Sequence, residues 1–237
     1  RQDMRGIWEH NGIGGILWSE DYPGASGRGK TLQEAKGKLL HDIQRYQKWC
    51  ALDKTCPKAN EDIVIVQEKD STLQVQDADS DVLFDSERNS LHIEEYLILK
   101  QRCIQSAHDF LTLYQSIPKK LYTDLFPRKT FYGKIPTTAQ AMYEHTNNVT
   151  SYYMGEIKVS LQNLTNIYEN RLQAFALLEK QEHFLDNKIY IGNYDEAWTL
   201  AKVMRRFIWH DTIHAKAMYR MAMRKWDRKI IRNPYQF

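Results

Sequence analysis

Cysteine is scarce in this chain and poorly spaced for a scaffold: Cys50, Cys56 and Cys103 are the only three in 237 residues. An odd number without any C-x-x-C pair excludes a disulfide framework and a zinc ribbon, and reads as small buried hydrophobes in a reducing compartment. Long apolar runs are missing as well. Uncharged stretches such as residues 12–19 fall far short of the roughly 18 apolar residues that a membrane-spanning helix needs. The first thirty residues hold no charged region followed by an apolar one, so the expectation is a cytoplasmic protein without membrane contact. In that compartment the N-x-[ST] matches at Asn148 and Asn163 carry no meaning. Proline (6) and glycine (11) are too few for a collagen or a linker, and 42% hydrophobic residues supply a core for one large domain or two small ones.

Net charge is only +3, but it is unevenly placed. Residues 61–95 carry eleven carboxylates against Lys69 and Arg88, a net of −9, whereas residues 200–237 carry ten bases against Asp211 and Asp227, a net of +8. The basic end is read as a solvated helix face balanced by the acidic stretch.

Texture changes near residue 90. Before it the chain is rich in glycine and short β-type runs: residues 13–18, then residues 63–67 and 72–76, with Asp21-Tyr-Pro-Gly24 as a turn signal. One helix interrupts them. Thr31-Leu-Gln-Glu34 is a capping box, and Ala35, Leu39, Ile43, Tyr46 and Cys50 follow at helical spacing until the Cys56-Pro57 punctuation. The reading is a small α+β domain over 1–75, an acidic linker over 76–89 and an all-α four-helix bundle over 90–237. The four helices are Ile93 to Tyr114, one capped at Thr137-Thr-Ala-Gln140 with the face Ala141, Met142, His145, Val149 and Tyr152, one with the face Leu161, Leu164, Tyr168, Leu172, Phe175 and Leu178, and one from Thr199 with Val203, Phe207, His210, His214, Ala217 and Met221. The connection from Pro118 to Pro136 is expected to cross over the bundle, whose interior is where metal sites are built.

The sharpest chemical signal lies on the last helix. His210 and His214 stand four apart and share its apolar face, so each imidazole must either satisfy both ring nitrogens or offer a lone pair to a metal. His145 on another helix is a third inward imidazole. A satisfied core histidine is the plain alternative for each. The segment is no zincin, because His210-Asp-Thr-Ile-His214 has Asp where the general-base Glu belongs and no Glu follows Glu196. Asp77-x-Asp79-x-Asp81 is no EF-hand, since Val82 replaces the turn glycine and Arg88 the closing Glu. Arg205, Arg206, Lys216, Arg220 and Arg224 with Trp209 and Tyr219 form a basic aromatic pattern, but the modest net charge and missing motif speak against nucleic acid.

Residues 137–157 and the stretch Trp198 to Met221 resemble the second and last helices of DinB-like metalloprotein bundles, with an inward His two turns after a Thr cap and a terminal H-x-x-x-H. The resemblance covers about residues 90–237. It implies a divalent metal on His145, His210 and His214, zinc or nickel first, with iron and manganese also accepting imidazole. Three neutral imidazoles leave an open position, as in catalytic sites, and second-shell partners are expected, with Glu156 and Tyr152 as candidates. Residues 6–49, through Pro23-Gly24-Ala25 and Gly29-x-Thr31-x-x-Glu34-Ala35, resemble a HicB-type domain. No DNA-binding segment follows it, so it implies a recognition or oligomerisation module, compatible with a homodimer. Together these resemblances imply a metal-dependent enzyme that activates a thiol or other small-molecule substrate for group transfer. The rival is a binding or regulatory protein with a structural or vestigial metal.

Overall fold

The computed structural model describes residues 4–51 and 62–237, so Cys56 and Pro57 lie outside the described residues. The fold is mixed, and the chain divides into two compact units, essentially residues 1–89 and 90–235.

The first unit is one four-stranded sheet with a helix. Strands β1 (Met4–His10), β2 (Gly15–Ser19) and β3 (Ser26–Gly29) form an antiparallel meander, and β4 (Ile63–Asp70) joins β1 in parallel, giving the order β3-β2-β1-β4. A parallel return needs a crossover, and helix α1 (Leu32–Trp49) supplies it. Its start keeps the forward half of the capping box read from the sequence: Thr31 Oγ1 accepts the Glu34 amide at 3.2 Å, while the Glu34 side chain reaches past the cap and accepts the Lys30 amide at 3.2 Å. Leu39, Ile43 and Tyr46 are buried, and Gly27 lets the helix lie directly on β3, because a Cβ there would stand 2.5 Å from Ala35 O and Leu39 N.

Every residue of β2 is buried, so the face of the sheet away from α1 must be covered too. The expected acidic linker covers it. Val82, Leu83 and Phe84 are buried within residues 76–89, and Phe84 meets the Trp18 ring edge-on at 6.1 Å. Buried Glu9 on β1 pins this segment, accepting from Trp18 Nε1 (3.1 Å), Ser80 Oγ (2.6 Å), Asp81 N (3.0 Å) and Val82 N (3.2 Å). An apolar trio inside a charged run outweighs the run's net charge when a sheet face needs covering. Residues 72–76 are no strand either. Asn11 Nδ2 donates to Leu73 O and Gln76 Oε1, which holds a loop that ends in a 3-10 turn over Val75–Asp77.

The second unit is built on α2 (Ile93–Ser116), α3 (Ala139–Glu156), α4 (Ile167–Glu179) and α5 (Leu200–Lys225). Helix α2 packs on α4 and α5, and α3 packs on α5 and α4, which places α2 and α3 on a diagonal. The connection between them must therefore cross, and it does so with structure of its own. Strands β5 (Lys129–Thr130) and β6 (Gly133–Lys134) form a hairpin, and a second hairpin, β7 (Tyr190–Ile191) with β8 (Ala197–Trp198), precedes α5. The unit is thus not purely helical. Among the described residues no helix is long and apolar enough to cross a membrane.

Helix α4 starts six residues later than the leucine pattern suggests. Asn166 caps it through the Glu169 amide at 3.0 Å, while Asn163 and Asn170 side chains hold residues 161–166 in an irregular segment. Its buried face is Ile167, Asn170, Arg171, Ala174, Phe175 and Leu178, and Leu164 and Leu172 are exposed. Arg171 is the reason for the rotation: buried completely, it forms a two-pronged ion pair with Asp211 of α5, at 2.9 and 3.0 Å. Ser106 Oγ donates to the same carboxylate at 2.7 Å, and Tyr235 OH donates to Ser106 O at 2.6 Å.

Candidate metal centre

Two helices bring three imidazoles together. Thr138 caps α3 by accepting the Ala141 amide at 3.0 Å, and Thr199 caps α5 by accepting the Lys202 amide at 3.3 Å. Packing of α3 on α5 then sets His145 against the His210/His214 pair. Ring centroids are 5.0 Å apart for His145 and His210, 4.6 Å for His145 and His214, and 4.4 Å for His210 and His214. One nitrogen from each ring lies within 4.8 Å of the other two, and no carboxylate or thiol joins the group among the described residues.

The environment keeps these rings uncharged. Burial lowers the pKa of all three: His145 falls below the ordinary imidazole value, His214 drops to about 3, and His210 falls well below, pushed further by the two neighbouring imidazoles. None of the three rings has a hydrogen-bond partner among the described residues, and Nδ1 of His210 is wholly buried without one. A buried polar nitrogen left unpaired costs about 1–3 kcal/mol, and Nδ1 of His210 carries that cost beside two half-buried imidazoles. Neutral imidazoles with free lone pairs, gathered at one point, are the donor set that a borderline-soft divalent ion takes. The residues present therefore fit a metal.

The expected second shell is not where the sequence put it. Glu156 is turned to the β7–β8 hairpin, where it accepts from Asn193 N at 3.0 Å and Asn193 Nδ2 at 2.8 Å. Gly192 permits that approach, since a Cβ there would sit 1.8 Å from Glu156 Oε2. Tyr152 is largely exposed, and it is Tyr153 whose ring stands edge-on to His210 at 6.0 Å. Asp211, beside His210 in sequence, points away into its pair with Arg171. The free cysteine Cys103 is buried, donates to Met204 O at 3.3 Å, and has its thiol pKa pushed far up by burial.

One neighbour of the histidines, and the role of two cations further along the same side of α5, escaped the sequence reading. Tyr132, at the tip of the β5–β6 hairpin, stacks on His145 with centroids 5.7 Å apart and planes at 22°. Lys202 and Arg206 precede His210 at four-residue steps and so share its side of α5. Lys202 is buried, donates to Glu196 Oε2 at 2.8 Å and Ala197 O at 2.7 Å, and burial draws its pKa down to about 8. The Arg206 guanidinium lies 5.3 Å over Tyr153 and 3.5 Å from Glu196. Their i, i+4 register with the histidines was the available signal; Tyr132 left none, because only the crossover brings it near. Of the basic aromatic pattern read from the sequence, Arg205, Arg206 and Trp209 are buried, while Arg220 and Arg224 are exposed.

Compared with models of protein families, with curated proteins and with solved structures, the chain matches none of them. Two other features are weaker. His10 meets Glu68 at 2.6 Å and Asp70 at 3.3 Å, but both carboxylates are exposed and the imidazole is satisfied by its hydrogen bond to Glu68. A cavity of about 250 Å³ lined by Leu178, His183, Asn187, Tyr190 and Leu200 contains none of the three histidines.

Proposed function

We propose that residues 90–237 form a DinB-like metal-dependent enzyme in which His145, His210 and His214 hold a divalent ion, zinc or nickel by preference, and in which a thiol is activated for group transfer. The observation that carries this reading is the convergence of three uncharged imidazoles without hydrogen-bond partners, one of them with a fully buried bare nitrogen. With three protein ligands an ion keeps an open position, where it would lower the pKa of a bound thiol toward neutrality. The chain's own residues prepare that chemistry. Burial holds the imidazoles in the ligating, unprotonated form, and Tyr132 and Tyr153 pack against His145 and His210 as aromatic walls. Asp211 is engaged with Arg171, so it supplies no general base, which supports thiol activation over peptide hydrolysis.

The first unit we read as a HicB-like module for recognition or oligomerisation. Support comes from the succession of three strands and a capped helix over residues 4–49, and the acidic 77–87 segment packs on the sheet, where it repels phosphate.

The test is conjugation of a simple thiol to chlorobimane by zinc- and nickel-loaded protein, in which the sulfur–carbon bond forms, chloride leaves and the thiol proton passes to solvent. Turnover above the metal-free protein, lost in His145→Ala, is the expected result. No rate above the metal-free background with either metal contradicts the reading.

A further inference from the structure

The hairpin that touches the histidine cluster carries an unbalanced charge. Lys129 and Lys134 are direct cross-strand partners on β5 and β6, and both are exposed. Like charges placed opposite each other destabilise a strand pair, and this pair is only two residues long. Arg128 continues the basic run, accepting the Ile135 amide through its carbonyl at 3.0 Å. Among the described residues none of the three cations has a carboxylate partner, although the chain is otherwise ready to pair such groups, as Asp124 does with Arg224 at 2.5 Å.

The hairpin is also held in place. Its two-residue tip is Phe131-Tyr132, closed by Gly133 at φ +102, a conformation that a residue with a Cβ adopts only with strain. Tyr132 anchors the tip on His145 through the stacked rings. Lys134 follows Tyr132 by two residues, at most about 7 Å along an extended chain, and a lysine side chain adds a further reach of similar size. When that flexible stem folds back toward the tip, the ammonium comes within the roughly 8 Å over which an exposed charge still acts at physiological salt.

We infer that Lys129 and Lys134 are specificity-determining residues that select, for the histidine-bound ion, a substrate bearing an anionic group. This inference rests on the metal reading above. An anionic group near the hairpin offsets the repulsion between the two lysines, while Tyr132 fixes their distance from His145. The cost of the opposed cations is then a cost of recognition, present only while no anion is bound.

The experiment uses the full chain loaded with cobalt(II), whose visible spectrum reports changes in its ligands. Three thiols of different charge are titrated: 3-mercaptopropionate, 2-mercaptoethanol and cysteamine. Each is compared between wild type and the double variant Lys129→Glu, Lys134→Glu, which alters exposed side chains only. The expected result is that the double variant takes up cobalt normally, binds 3-mercaptopropionate about tenfold or more less tightly, binds 2-mercaptoethanol within about twofold of wild type, and gains affinity for cysteamine. Raising the salt should shrink the wild-type preference. Equal changes for all three thiols, or none, overturn the inference while leaving the metal site standing. Cobalt uptake without a response to any thiol overturns both the inference and the thiol chemistry. Failure of cobalt to bind wild type contradicts the metal reading itself.

Discussion

His145 and His214 face each other edge to face across two helices, ring centroids 4.6 Å apart and planes at 72°, although 69 residues of chain separate them. Neither ring has a hydrogen-bond partner among the described residues. Burial lowers the pKa of both rings, so the pH dependence of stability should expose the arrangement.

In the metal-free protein, acid should unfold the second unit through these rings. His214 has a folded pKa near 3 against an unfolded value near 6.5, and His210 is also lowered. Above pH 6.5 both states are neutral and the rings add no pH dependence. As pH falls from 6.5 toward 3 the unfolded chain binds protons that the folded chain refuses, so stability is lost at up to about 1.4 kcal/mol per pH unit per histidine. Urea unfolding of the apo protein at pH 7, 5.5 and 4.5 should show a steeper decline for wild type than for His214→Phe. Parallel declines would place the acid sensitivity elsewhere.

Asp211 should matter for stability and not for metal. Removing its carboxylate in Asp211→Ala leaves Arg171 charged and fully buried, and takes from Ser106 Oγ its shorter hydrogen bond. The expected loss is about 3–5 kcal/mol. Denaturant unfolding measures it, while zinc stoichiometry of the folded fraction should stay at the wild-type value.

The carboxylate of Glu9 should hold the 80–84 segment on its sheet. Glu9→Ala removes the acceptor of four donors, two of them the backbone amides of Asp81 and Val82. Hydrogen exchange at those two amides should accelerate by roughly tenfold to a hundredfold, matching about 1–3 kcal/mol for the lost bonds. Unchanged protection there would mean that the burial of Val82 and Phe84 alone keeps the segment in place.

Much of the architecture was legible where local rules operate. The Thr31 cap, the start of α5 at Thr199 and the spacing within α1 and α5 needed only nearest neighbours, and the box read at Thr137 marks the start of α3 one residue before the Thr138 cap that the structure shows. Elements whose role is decided at long range were not legible. The acidic stretch reads as a linker until the sheet presents an open face to Val82 and Phe84, and α4 reads as a leucine stripe until Asp211 draws Arg171 inward. The site divides in the same way. The i, i+4 histidines follow from helix geometry alone, whereas Tyr132 reaches His145 only because the crossover carries a hairpin. Glu156 and Tyr152 were misplaced because the buried face of α3, running through Met142, Thr146, Thr150 and Tyr153, is set by polar residues that an apolar pattern ignores.

The central claim is that one divalent ion is shared by His145, His210 and His214. The most direct measurement is the zinc affinity and stoichiometry of the full chain, obtained by competition with a chromophoric chelator, for wild type and for His145→Ala, His210→Ala and His214→Ala, with His92→Ala as an exposed control. The account predicts one tight equivalent in wild type and in the control, and a fall of about a hundredfold or more in each of the other three. Wild-type affinity retained in any one of those three folded variants, or no zinc bound by wild type, would contradict it.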